Sequence, residues 1–235
     1  MRKILVLSAS FFASALIALC VWMTVSPATA AYLFLTQIFG LVALALLFLV
    51  LLPGPFYRIF PSAPFFISYR QYLGPFGMAT FYFALLHASI AFWGLYEGFS
   101  GLAYLPTRYL VATLLGFLAL VILAALAGTS FDYARLKMGK NWKRLHRTIY
   151  IGGFSAVAHV AMSGTHFKEA ADPIGLIGVA MFAIILFLNA ITFNLYLSEK
   201  YSLPSLIPPL VIALVIGAGL YILDALHLYA HLGHV

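Results

Sequence analysis

Apolar runs of about 20 residues, the length a helix needs to cross a hydrocarbon layer, recur along nearly the whole chain. They fall near residues 4–25, 31–52, 75–97, 107–128, 147–167, 174–197 and 205–225. Backbone N–H and C=O groups find no water in a bilayer, so a run of this kind must satisfy them within its own helix. The sequence therefore predicts an all-α polytopic membrane bundle of about seven transmembrane helices. Only 8% of the residues are charged and 64% are hydrophobic, which leaves no room between the runs for a water-soluble domain.

The charges that remain are sorted by side. With the N-terminus in the cytoplasm, Arg2, Lys3, Arg58, Arg70, Arg135, Lys137, Lys140, Lys143, Arg144, Arg147 and Lys200 fall inside. Only Arg108 and Lys168 fall outside. That bias predicts a cytoplasmic N-terminus and an external C-terminus, in a membrane such as the bacterial inner membrane. The net charge of +7 is thus a topology signal and not a nucleic-acid surface. The first run has a second reading as a signal peptide, since Arg2 and Lys3 precede it and "ATA" at 28–30 resembles a cleavage site. A signal core is about 7–15 residues, shorter than this run, so a retained helix is favoured; cleavage would leave six spans in the same orientation. Residues 1–30 are accordingly taken as the first helix, 31–200 as the main membrane domain, and 201–235 as an extra helix with an external tail. The single cysteine, Cys20, excludes an internal disulfide or a cysteine metal cluster.

Two inner loops stand out. "PGPFYRIFPSAPFFISYRQYLGP" (53–75) is rich in proline and aromatics and reads as a structured interfacial connection. "TSFDYARLKMGKNWKR" (129–144) is basic, which suits either anionic lipid or the docking of a cytoplasmic electron donor. There is no internal repeat, low-complexity tract or glycine-rich phosphate loop, so the chain carries no recognisable flavin or nicotinamide domain.

Of seven histidines, only His87 and His159 lie near the middle of predicted spans. Both spans run from inside to outside, and each histidine lies some 12 or 13 residues beyond its cytoplasmic start. At a rise of ~1.5 Å per residue the two imidazoles sit at nearly equal depth. Ionisable groups at that depth are functional by default, and two imidazoles at one level can clamp a metalloporphyrin. A hydrogen-bonded structural pair is the bland alternative. Gly152, Gly153, Ser155, Ala156 and Ala158 would let a flat macrocycle approach, or serve helix packing alone.

His146 precedes His159 by 13 residues, ~20 Å along an ideal helix and ~140° around it, so one heme cannot use both. It would serve a second, inner heme with an unusual partner, contact propionates or a quinone, or simply snorkel to water. The tail "DALHLYAHLGH" aligns Asp224, His227, His231 and His234 on one helical stripe, an external transition-metal site or a polar cap. His166 is read as interfacial.

Over roughly residues 40–170 the sequence resembles the ferric-reductase-like transmembrane domain, and within it the heme-binding membrane subunit of the periplasmic methionine-sulfoxide reductase system. The resemblance rests on "TSFDYARLKMGKNWKRLHRTIYIGGFSAVAHV" and on "ALLHASIAF". It implies that His87 and His159 ligate heme b and that His146 is the family's third heme-associated histidine. It also implies electron flow from a separate cytoplasmic flavin reductase or the quinone pool, with FMN or quinone at the inner side, to an external redox partner or ferric iron. Eukaryotic ferric reductases and NADPH oxidases carry two histidines in the third helix and a fused flavin domain; neither is present here, which argues against a second regular bis-histidine heme. The family's Arg-Arg before Leu-Gly is matched loosely by Arg70 in "RQYLGPFG". Arg70, Arg144 and Arg147 lie where propionates or a flavin phosphate would be held. The chain is thus expected to be the heme-binding membrane subunit of an oxidoreductase. A transporter would show intramembrane charges along a path, which the spans lack. A non-redox scaffold or assembly subunit would have no use for the histidine pair.

Overall fold

The computed structural model describes residues 2–167 and 172–201, and all of their regular structure is helical. Eleven α-helices follow in order: α1 (Arg2–Thr24), α2 (Ala28–Leu51), α3 (Pro53–Ile59), α4 (Pro64–Tyr69), α5 (Leu73–Ile90), α6 (Phe99–Leu102), α7 (Thr107–Gly128), α8 (Asp132–Met138), α9 (Lys140–Arg147), α10 (Ile149–Ser163) and α11 (Pro173–Tyr201). Among the described residues five helical stretches are long and apolar enough to cross a membrane: Lys3–Thr24, Ala28–Ile59, Arg70–Leu95, Thr107–Gly128 and Pro173–Tyr201. The fifth predicted span, 147–167, is realised as the 15-residue α10, too short for that criterion, followed by a 3-10 turn at Thr165–Phe167. The seventh predicted span and its histidine tail lie outside the described residues.

The described residues form two compact units, one from 2–50 and 69–163, the other from 51–68, 164–167 and 172–201. In the first, Val21 of α1, Ala31, Leu35, Phe39 and Ala43 of α2, and Phe83 of α5 make the buried core. The four α2 positions recur at i, i+4 steps and so share one face, with Ala31 and Ala43 flanking the larger Leu35 and Phe39. A hydrogen bond of 2.7 Å between Ser14 and Tyr82 joins α1 to α5, and Lys3 Nζ donates to the Ser130 carbonyl at 2.9 Å. The surface is inverted relative to a soluble protein: Phe11, Phe12, Leu16, Phe117 and Phe154 are all exposed, as lipid-facing side chains are.

The close pairing of α7 with α10 explains one of the small residues. A Cβ on Gly152 would meet Ile122 Cγ2 at 3.1 Å, so the glycine serves helix contact at that point. The basic stretch read as a loop folds instead as α8 and α9. Asp132 lies in the first turn of α8 and Arg135 and Lys137 in its last, matching the helix dipole. Gly139, at φ 52°, makes the corner between the two, a backbone conformation in which a side chain would be strained. The proline-rich connection is likewise structured, as α3, α4 and a 3-10 turn at Arg70–Tyr72.

In the second unit α3 packs on α11, where Arg58 reaches Glu199 at 3.3 Å and lies over the Tyr196 ring at 5.7 Å. His166 meets Asp172 at 2.7 Å, and Asp172 also accepts from the Ile174 N–H, capping α11.

Candidate functional site

The site is built from two pairs of neighbouring helices, each pairing one histidine with the backbone opposite. On α5, the His87 Nδ1 lies 2.8 Å from the Thr36 carbonyl of α2. On α10, the His159 Nδ1 lies 2.7 Å from the Ala112 carbonyl of α7. A carbonyl only accepts, so Nδ1–H must donate in both, and each neutral ring carries its lone pair on Nε2. Neither Nε2 has a hydrogen bond among the described residues. This is the tautomer of a metal-ligating histidine whose other nitrogen is fixed by a carbonyl.

The two rings face one another with centroids 5.9 Å apart and planes 82° from parallel. An imidazole nitrogen ligates a transition metal at about 2 Å, so two rings sharing one metal have centres about 6 Å apart. The observed spacing fits that requirement. The spacing of the histidines put the two rings at one level, and the structure brings them within 5.9 Å of each other.

Glycines make the close approach possible. A Cβ at Gly40 would stand 2.8 Å from His87 Nδ1, and one at Gly116 would stand 2.8 Å from His159 Nδ1. Thr36 Oγ1 is buried without a hydrogen-bond partner, the only such side-chain atom among the described residues. Other helical threonines return their hydroxyl proton to the carbonyl four residues back, Thr80 to Phe76 at 2.8 Å and Thr113 to Tyr109 at 2.8 Å. A buried polar atom left without a partner is costly, so a hydrogen bond is left unmade beside His87. The donor set and the spacing therefore fit a metalloporphyrin held between α5 and α10. Sequence reasoning did not find Gly40, Gly116 or the two carbonyls. The signal available was a glycine in mid-span, in "IFGLVAL" and "LLGFLAL".

His146 belongs to a different cluster. It stacks on Trp142 at 3.9 Å, and its Nε2 lies 3.2 Å from Thr129 Oγ1. Thr129 sends its own hydroxyl proton to the Ala125 carbonyl at 2.7 Å, so the hydroxyl accepts from the imidazole. The Trp142 indole N–H donates to the Thr129 carbonyl at 2.8 Å, which fixes α9 against the end of α7. Burial pushes the His146 imidazole below its ordinary value, opposed by the hydrogen bond to Thr129. Arg144 and Arg147 are exposed, and with Gly139, Lys140 and Lys143 they line an open cleft of about 530 Å³. Arg70 lies in the 3-10 turn ahead of α5. His227, His231 and His234 lie outside the described residues, and no cluster of three metal-ligating side chains occurs among those described.

Apolar helices with lipid-facing exteriors and two imidazoles brought within 5.9 Å of each other define an integral helical membrane protein with a buried histidine pair. Comparison with known proteins makes the assignment particular. The chain belongs to the family described as ferric reductase like transmembrane component, whose model matches residues 39–157. The protein-methionine-sulfoxide reductase heme-binding subunit MsrQ of Bordetella pertussis is 35% identical over 128 residues, 54% of this chain and 59% of that protein. The protein of the same name from Yersinia pseudotuberculosis is 33% identical over 151 residues, 64% of this chain and 70% of that one. The chain thus spans somewhat under two thirds of the Bordetella relative's length. No solved structure matches.

Proposed function

We propose that this protein is the heme-binding membrane subunit of an oxidoreductase, passing single electrons from the cytoplasmic to the external side. The observation that carries the reading is the facing pair His87 and His159, each fixed through Nδ1 to a backbone carbonyl. A bound heme b supplies a one-electron iron couple at a depth where no charged side chain could be moved cheaply. His87 and His159 hold it; α2 and α7 orient those rings; the apolar core keeps water away.

The names of the relatives support the same reading, as does membership of the family. We assign the N-terminus to the cytoplasm and the C-terminus to the external face, on the distribution of Lys and Arg. The first helix is kept in the mature protein, in accord with the Ser14–Tyr82 bond that docks it on α5. We take residues 31–200 as the ferric-reductase-like domain; the seventh span and histidine tail expected over 201–235 lie outside the described residues. Electrons enter from a separate flavin reductase or a quinol at the inner side and leave to an external reductase partner or ferric iron. His146 is engaged with Thr129 and Trp142, so we assign it to the inner edge of the site, near propionates or a quinone. Arg70, Arg144 and Arg147 provide positive charge at that level.

The test is electron transfer across sealed vesicles, with reduced flavin inside and a membrane-impermeant ferric chelate outside. Wild-type protein should reduce the outer chelate, and His87→Ala and His159→Ala variants should not. Equal rates in wild type and both variants would refute the proposal. An Arg147→Ala variant with unchanged rate and unchanged heme content would remove Arg147 from the site.

A further inference from the structure

The two halves of the site are built alike, although no repeat was evident in the linear sequence. On α2, the carbonyl of Thr36 accepts from His87, and the glycine four residues later, Gly40, lies under the ring. On α7, the carbonyl of Ala112 accepts from His159, and the glycine four residues later, Gly116, lies under that ring. The closest clearances agree: an added Cβ would meet Nδ1 at 2.8 Å and Cε1 at 3.1 Å in both halves, with Cγ at 3.6 Å from Gly40 and 3.2 Å from Gly116. Around these points the sequences "GLVAL" (40–44) and "GFLAL" (116–120) share Gly-x-x-Ala-Leu. The histidine helices share Ala-x-x-His, Ala84 with His87 and Ala156 with His159. Ala43 and Ala119 are both buried.

The i to i+4 spacing has a physical reason. In an α-helix the carbonyl of residue i already accepts from the N–H of i+4, and the Cβ of residue i+4 would hang over that carbonyl. Glycine at i+4 removes it. The carbonyl's second lone pair then becomes reachable by a ring on the adjacent helix. We infer that Gly40 and Gly116 are paired positioning residues, each opening one helix so that a histidine donates Nδ1–H to the carbonyl four residues earlier, which fixes the tautomer and plane of both His87 and His159. The 82° between the ring planes is set by which helix each ring rests against. The inference rests on the proposed heme reading for its consequence, but the clamp itself concerns the protein's own atoms.

A heme held between His87 and His159 with their ring planes at this angle would give a highly anisotropic low-spin ferric EPR signal. Gly40→Ala and Gly116→Ala should each displace one ring. Loss of an outer partner of a metal-ligating histidine typically costs about 10–100-fold in affinity, and a loss of that order is expected in heme retention here. The EPR anisotropy should change in the same variants. Gly77→Ala and Gly128→Ala, where an added Cβ meets nothing within 4 Å, serve as controls and should match wild type.

Retention and EPR unchanged in both Gly40→Ala and Gly116→Ala would overturn the inference. Should those variants fail to fold, ¹⁵N-histidine NMR of the reduced wild-type full-length protein decides it. Two membrane-embedded histidines protonated at Nδ1 are expected, and protonation of either at Nε2 instead would overturn the clamp. Wild-type protein without heme would sink the proposed function, while the same NMR measurement on that protein would still judge the clamp.

Discussion

Replacing Thr36 by Val would distinguish the heme-free protein from the proposed heme-bound one. Val keeps nearly the shape of Thr and removes the hydroxyl, and Thr36 Oγ1 is buried with no partner. A buried hydroxyl without a hydrogen bond costs about 1–3 kcal/mol, so the heme-free protein should gain stability of that order in Thr36→Val. If a bound group beside His87 supplies the missing partner, the loaded protein loses about 0.5–1.5 kcal/mol, and heme affinity falls by the sum of the two effects, about 1.5–4.5 kcal/mol or roughly 10- to 2,000-fold. The two effects have opposite signs. Unfolding by a denaturing detergent, followed by far-UV circular dichroism with and without heme, measures the two; heme titration measures their sum. No change in either quantity would mean that the hydroxyl simply turns to its own helix, as Thr80 does. The orphan would then be no evidence for a ligand.

Other outcomes follow from local geometry. A double-mutant cycle of Ser14→Ala and Tyr82→Phe should give a coupling of about 0.6 kcal/mol, the average for hydrogen bonds between membrane helices, and zero coupling would deny the docking of α1 on α5. Trp142→Phe removes the indole donor to the Thr129 carbonyl and should lower stability by about 0.5–1.5 kcal/mol. Protease protection of the 129–147 segment would fall with it, and unchanged protection would show that this bond does not hold α9. The hydrogen bond from His166, with those from Ile174 and Gly175, holds the Asp172 carboxyl below the usual carboxylate range. Its contribution is therefore present above the ordinary carboxylate value and lost as pH falls through the depressed one. The Asp172 ¹³C carboxyl shift should titrate low in wild type and move up in His166→Ala.

Much of this architecture was legible because its causes are written in residue types. Long apolar runs without strand alternation point to membrane helices, and the distances of His87 and His159 from their span starts put the two rings at one level, in keeping with their 5.9 Å approach. The carbonyls of Thr36 and Ala112 carry no residue signature, since every residue has one. What marks them is the glycine four positions on, and an interior glycine in a membrane helix is common enough to pass unnoticed. The stretch 129–144 read as a loop because its charges are dense and its apolar positions few. Its helices depend on a corner at Gly139 and on the anchoring of Trp142 and His146 to Thr129, contacts that exist only in three dimensions. The 147–167 span was drawn too long because helix ends depend on caps and contacts that hydropathy does not record, and α10 stops at Ser163.

The central claim is that His87 and His159 together hold one heme. Absorption spectra of the detergent-purified protein, oxidised and dithionite-reduced, with pyridine hemochrome quantification, test it most directly when His87→Ala, His146→Ala and His159→Ala are measured alongside. The account predicts a b-type spectrum at one heme per chain, lost in the His87 and His159 variants and kept in the His146 variant. A colourless wild-type protein expressed with ample heme, or a spectrum that survives loss of both His87 and His159, would contradict it.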